Sequence, residues 1–228
     1  MLLTERQVRD NLRNRQGKRV FFLGPKDQLT SEARDFLQRE RVEIRPAKDA
    51  PIDRYRLLNG GWMAEKPEHM THLYGDVLVE KTHPRIRFRG KMDSLQSILL
   101  LAQVYCPAEK EKIREILDLS GRILRADVLE EPLEEKPLCG FSEEEIHSRS
   151  HFPQDYYGIP HFMPRAEDGT AVLWLNRCRS AVREAELSAA RAFETAEGGC
   201  ERGDILKALN RMSSMAYILM IEKKAGSV

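Results

Sequence analysis

Apolar residues recur at three- and four-residue spacing through the second half of the chain, and each such run predicts an amphipathic helix. The clearest lies within residues 173–193 (LWLNRCRSAVREAELSAARAF), where Leu175, Cys178, Val182, Ala185, Ala189 and Ala192 form one seam. Met92, Leu95, Leu99 and Ala102 mark a helix that follows Pro84 and ends at Pro107. Ile113, Ile116, Leu117, Ile123 and Leu124 mark the next, which fades near Glu131-Pro132. Ser142 and Glu145 make a capping box that starts a short helix. Residues 152–169 read as loop, rich in Pro, Gly and aromatics. A last helix over 204–223 follows the Gly198-Gly199 break and turns Ile205, Leu209, Met212, Ala216 and Leu219 or Met220 inward.

The first third of the chain is patterned differently. Thr4 and Gln7 form a capping box for a short helix over 5–15, stopped by Gly17. Lys18 to Leu23 (KRVFFL) predicts a strand, Leu29-Thr30-Ser31 caps a helix over 32–39, and Val42 to Ile44 again looks extended. Pro46 to Asp53 reads as a linker, and 54–84 as irregular, broken by Gly60-Gly61, Pro67, Gly75 and Pro84. The expected fold is mainly α: an antiparallel bundle of four to five helices with a small N-terminal α/β subdomain. The domains expected are residues 1–50, a linker and loop over 51–84, and the bundle over 85–228.

Beside the seam of the 173–193 helix runs a polar row of Arg179, Arg183 and Glu186, confined to an arc of roughly 60° at about 100° per residue. Arg89, Asp93 and Gln96 form a second row on the helix after Pro84. Asn210, Ser213 or Ser214 and Tyr217 form a third on the last helix. Each row could face water alone, with i,i+4 pairing on a solvated flank. Their mixture of amide, hydroxyl, aspartate and arginine instead favours convergence on one cleft, because a purely solvated face tends toward Glu and Lys. Asp93 offers the acceptor that a buried Arg179 or Arg183 would need.

Charge and composition narrow the classes. Lys plus Arg is 37 and Asp plus Glu 36 in 228 residues, for a net charge of +1, which gives no reason to expect nucleic acid or an anionic membrane as partner. A 41% apolar and 32% charged content suits a helix-rich globule. The longest apolar run, Ile98 to Ala102, is far below the ~20 residues of a membrane span, and the N-terminal residues lack a signal-peptide core. The four cysteines are scattered without a C-x-x-C pair and read as reduced thiols, so a cytoplasmic location is expected. Neither G-x-x-x-x-G-K-S/T nor G-x-G-x-x-G occurs. His147 and His151 are four apart but lack the glutamate of a zinc-protease helix, and His69 and His72 lack a third clustered ligand.

Six segments in collinear order resemble the ATP:corrinoid adenosyltransferases, particularly their ethanolamine-utilisation branch. They are LTSEARDFLQRERVEI, KPEHMTHLYGDVLVEKTHPRIRFRGKMDSL, GRILRADVLEEPL, FSEEEIHSRSHFP with HFMPRAEDG, the arginine helix RSAVREAE, and DILKALNRMSSMAYILMI. The arginine helix is similar to the family pattern R-x-x-x-R-x-x-E. The L-N-R-M-S of the last helix resembles the L-N-R-L-S shared with the propanediol-type branch.

The resemblance implies a helical bundle with active sites between subunits of a homo-oligomer. It implies transfer of the 5′-deoxyadenosyl group of ATP, bound with Mg²⁺, to the cobalt of cob(I)alamin, releasing triphosphate. No metal site of the protein's own is implied, because Mg²⁺ would be bound through ATP. By the same resemblance Asp93 would pair across a subunit boundary with an arginine, Arg179 first, and would border the cobalamin. Arg179 and Arg183 would hold the polyphosphate, Glu186 would orient the adenosine end, and Asn210 would complete the nucleotide pocket. Thr71, Lys81, Arg85 and Arg89 would lie on the phosphate side. An aromatic residue before the arginine helix would fill the lower axial position of the corrinoid, with Phe162 the candidate and Phe152 and Tyr157 its competitors. The implied partners are a reductase supplying electrons for Co(I) and an adenosylcobalamin-dependent enzyme such as ethanolamine ammonia-lyase, in the cytoplasm or in association with a bacterial microcompartment.

Two departures from the family stand out. Pro51 to Lys66 contains neither cysteine nor histidine, where the ethanolamine branch often carries a histidine and a C-C-x-x-C motif, so no iron or zinc is expected there. The propanediol-type T-x-x-G-D-x-G loop is represented only by Thr71 and Gly75-Asp76, more widely spaced. Two other classes fit the same bundle: a non-catalytic corrinoid carrier or chaperone, and a helical assembly module of a microcompartment.

Overall fold

The computed structural model describes residues 2–15, 18–49 and 55–226, and the chain divides into two compact units, Met1–His83 and Pro84–Val228. In the first unit, β1 (Leu2–Leu3) leads into α1 (Glu5–Asp10), whose capping box forms as the T-x-x-Q spacing predicts. The helix ends at Asp10, earlier than expected, and β2 (Arg13–Arg15) follows. The expected stop at Gly17 lies outside the described residues. β3 (Lys18–Leu23) pairs antiparallel with β2 and parallel with β5 (Glu43–Pro46). Between them come β4 (Gln28–Leu29), parallel to β1, and α2 (Ser31–Arg39), whose first turn is held by the Thr30 hydroxyl accepting from the Ala33 N–H. Val8, Phe21, Ala33, Phe36 and Leu37 fill the core that these elements share.

The stretch expected to be irregular contains a four-stranded sheet of order β7-β6-β9-β8. Its strands are β6 (Tyr55–Leu57), β7 (Trp62–Met63), β8 (Met70–Tyr74) and β9 (Val77–Glu80). They are two to five residues long, too short for a clear period-two signal, and Val77, Leu78 and Val79 are all buried, which erases alternation altogether. Gly75-Asp76 is the turn between β8 and β9, with Gly75 at φ 49°. The linker expected over 46–53 is strand at Pro46 and a 3-10 turn at Ala47–Asp49; its remainder lies outside the described residues.

The second unit is the helical bundle. α3 (Pro84–Tyr105), α4 (Lys110–Leu129), α7 (Gly169–Ala192) and α8 (Gly203–Ala225) are its long members; α5 (Glu143–His151) and α6 (Pro153–Tyr157) are short. α3 packs on α4 and α7, and α7 packs on α8, which also meets α5. Short connections return the chain, so α3 with α4 and α7 with α8 run antiparallel. The seams read from the sequence are the core: Met92, Leu95, Leu99, Leu175, Val182, Leu209 and Met212 are fully or almost fully buried. Each such side chain contributes roughly 1.5–3 kcal/mol by leaving water. No helix among the described residues is long and apolar enough to cross a membrane.

One end of the bundle is tied by charge. Asp127 sits on the buried face of α4 at 0% exposure. It accepts from Arg85 Nε at 2.9 Å and from Arg89 Nε at 2.6 Å, while Arg85 Nη2 donates to its backbone carbonyl at 2.7 Å. Nearby, Arg202 donates to the carbonyls of Ala126 and Glu131 and to both carboxylate oxygens of Asp204. The Arg202 guanidinium, helped by the Leu133 and Ile205 N–H groups against the cost of burial, holds the Asp204 carboxyl at about 2.

A carboxyl whose folded pKa lies below its unfolded value stabilises the fold above the unfolded value, and that contribution is lost as pH falls through the folded one. Asp204→Asn is therefore expected to lower stability at pH 7 by roughly 2 kcal/mol. The gap to the parent should narrow as pH drops from about 4 toward 2, which urea unfolding at several pH values reads directly.

Candidate active site

α7 and α8 bring two of the three predicted polar rows to one place. Arg179 and Arg183 lie one helical turn apart on α7, displaced from the buried Cys178 and Val182 toward the exposed side. Both line an open cleft of about 640 Å³, together with Asn176 and Ser180 of α7, and Ser213, Ser214 and Tyr217 of α8. The other wall is the end of α5, with Ser150 and His151, and the irregular stretch His161 to Pro164.

The electrostatics of the cleft are set by what the arginines lack. Among the described residues no carboxylate lies within the 4.0 Å ion-pair distance of Arg179 or Arg183. Arg179 rests its guanidinium carbon 5.3 Å from the Tyr217 ring centre. Their neighbour Arg177, by contrast, is paired with Glu184 at 3.3 Å, and Glu184 with Lys91 at 3.0 Å. Two cations without a carboxylate partner stand on one wall, Arg179 half-buried and Arg183 exposed, an arrangement that suits a polyanion. Just beyond them Asn210 donates to Glu186 at 3.1 Å, joining α8 to α7 at one end of the arginine row.

The third row behaves differently, and the expectation of a three-row cleft is corrected within a single chain. Arg89 and Gln96 face α4, where Arg89 meets Asp127 and Gln96 donates to the Ser120 hydroxyl at 3.1 Å. Arg85 is held by the same aspartate. A carboxylate buried in the α4 seam needs counter-charge, and these arginines supply it. Asp93 stands about 100° further round α3 from Met92 and is exposed, with no cation within ion-pair distance among the described residues. It does not pair with Arg179 inside one chain. Thr71, on β8 opposite Val79, and Lys81, whose N–H donates to the His69 carbonyl at 2.9 Å, belong to the first unit. Asp76 accepts from Arg56 at 3.1 Å.

The aromatic candidates separate. Phe162 lines the cleft, half-buried against the bundle core, with the Lys224 ammonium 4.4 Å from its ring centre. Phe152 is exposed at the end of α5, and Tyr157 is packed against the core away from the cleft lining. His147 and His151, both exposed, stack at 4.1 Å, with the His147 Nδ1 in contact with Arg211 and the His151 Nδ1 with the His147 carbonyl. Burial pushes the thiols of Cys106, Cys139 and Cys178 up to between about 11 and about 12, which keeps them protonated near neutral pH.

Sequence reasoning assigned nothing to Asn176, Ser180 and His161. The first two each sit three residues before an arginine, Asn176 before Arg179 and Ser180 before Arg183, an offset that shares a helix face. His161 lies in a stretch with no period to read.

A cationic, aromatic-flanked cleft between two antiparallel helices of a bundle suits an anionic ligand, and the sequence carries no Gly-rich phosphate loop. Residues 63–222 match the cobalamin adenosyltransferase family, and the chain belongs to it. It is 38% identical over 160 residues to the corrinoid adenosyltransferase EutT of Salmonella typhimurium (strain LT2), covering 70% of this chain and 60% of that protein. The corresponding protein of Escherichia coli (strain K12) is similar to the same extent. The chain thus spans about 60% of the length of the curated relatives it matches.

Proposed function

We propose that the chain is an ATP:corrinoid adenosyltransferase of the ethanolamine-utilisation type. The observation that carries this reading is the pair Arg179 and Arg183, unneutralised by any described carboxylate and set across a cleft from the loop that bears Phe162.

Cob(I)alamin is itself the nucleophile, so no serine or thiol need attack. A cobalt–carbon bond forms at C5′ of ATP as the C5′–oxygen bond breaks, and that electron pair leaves with triphosphate. The protein's work is to bring C5′ into line and to stabilise charge on the departing group. Arg179 and Arg183 take the polyphosphate. Glu186 and Asn210, already bonded to each other, receive the adenosine end. Mg²⁺ would come with the nucleotide and supply further positive charge for the triphosphate, and no residue of this chain is assigned to hold it. Phe162 presents an apolar face to the corrinoid and takes the place of the lower axial ligand, which eases formation of Co(I).

Arg85 and Arg89, held by Asp127, support the bundle end rather than the phosphates. Thr71 and Lys81 are proposed on the phosphate side. The exposed carboxylate of Asp93 is proposed to reach the arginine cleft of a second copy in a homo-oligomer, bordering the cobalamin. Proposed partners are a reductase and an adenosylcobalamin-dependent lyase.

The test is turnover with ATP, Mg²⁺ and chemically reduced cobalamin. Conversion of the Co(I) spectrum to that of the adenosylated form, with one triphosphate released per corrinoid, is expected. Corrinoid binding with neither change would favour a carrier.

A further inference from the structure

The cleft contains a tether that none of the roles above uses. Residues 159–164 are irregular, following the left-handed Gly158 that ends α6. Met163 within them is 84% exposed. Two hydrogen bonds fasten this stretch to α8, and both end on one atom, the Tyr217 hydroxyl oxygen. His161 Nδ1 lies 3.0 Å from it, and the Phe162 N–H donates to it at 3.4 Å.

The proton arrangement follows from the partners. His161 Nε2 lies 3.1 Å from the His151 carbonyl oxygen, which can only accept, so Nε2 carries the hydrogen. In the neutral ring Nδ1 is then an acceptor, the Tyr217 hydroxyl donates to it, and the phenol lone pair remains for the Phe162 N–H. The two rings are stacked, within 6° of parallel with centres 5.8 Å apart. The same Tyr217 ring also carries Arg179, whose guanidinium carbon lies 5.3 Å from its centre.

We propose that Tyr217 and His161 form a positioning pair that fixes the Phe162 loop relative to Arg179, so that the corrinoid-facing aromatic and the phosphate-facing arginine are held in register. The inference rests on the adenosyltransferase reading for its kinetic consequence and on geometry alone for the tether.

Tyr217→Phe is the informative variant, since it keeps the ring under Arg179 and removes only the shared oxygen. Amide hydrogen exchange of residues 159–165 should accelerate about tenfold, with α7 and α8 unchanged. In turnover, the corrinoid KM should rise or kcat fall by about tenfold while the ATP KM stays within about twofold. Adding His161→Ala to Tyr217→Phe should change little more, because both act through one connection.

Unchanged exchange in 159–165 would overturn the tether. Faster exchange with unaltered corrinoid kinetics, or an equal loss in ATP KM, would overturn the positioning role. A parent protein without turnover would remove the adenosyltransferase reading and the kinetic half of this proposal, while exchange would still decide the tether.

Discussion

Arg179→Ala is expected to lower adenosyl transfer by about 10²–10³-fold, the usual consequence of deleting one preorganised charge from a developing anion. Its effect on the fold should be small. The guanidinium has no carboxylate partner among the described residues, and its resting place on Tyr217 is a cation–π contact at 5.3 Å. Losing that contact costs about 0.5–1 kcal/mol. A large kinetic loss with a small stability loss is the signature of a residue held ready for substrate. Steady-state rates and urea midpoints on the same preparation separate the two. Near-normal turnover would remove Arg179 from the chemistry, and a stability loss above about 3 kcal/mol would show that it is structural.

Asp127→Ala is expected to do the reverse. Its carboxylate is fully buried, and the arginines on it are only 15% and 16% exposed. Removing the acid takes the shared carboxylate from two poorly solvated cations at the junction of α3 and α4, of which Arg85 keeps Glu130 at 3.1 Å. Breaking a buried pair from one side costs about 3–5 kcal/mol, and here one acid serves two bases. Asp127→Asn, which keeps the shape and one acceptor, should cost less. The measurement is the urea midpoint of both variants against the parent. An alanine variant within about 1 kcal/mol of the parent would mean that water neutralises this corner and that the network is incidental.

These two arginine environments show what could be read in advance. The bundle was legible because each long helix buries one stripe, and the stripe is written in the spacing of Leu, Met, Ile and Ala. Arg179, Arg183 and Tyr217 were legible for the same reason, one step from a seam. Arg89 obeyed that rule too, yet it turns to α4. Periodicity gives the angle of a residue on its own helix but not the identity of the neighbour, and Asp127 is 38 residues away. A signal existed: Asp127 falls on the apolar stripe of α4, four residues after the buried Ile123, where a lone acid requires a cation. The sheet over 55–80 was hidden because its strands are too short to alternate. The His161 tether was hidden because an irregular loop has no period, and its two hydrogen bonds join residues 55 and 56 positions apart.

The central claim is that the α7–α8 cleft is where a nucleotide's phosphates meet the protein. A crystal structure of the full chain with ATP and Mg²⁺ tests it most directly. The account predicts phosphate oxygens within hydrogen-bond distance of the guanidinium groups of Arg179 and Arg183, with the adenosine directed toward Glu186 and Asn210. Nucleotide bound elsewhere, with both arginines still facing solvent, would contradict it.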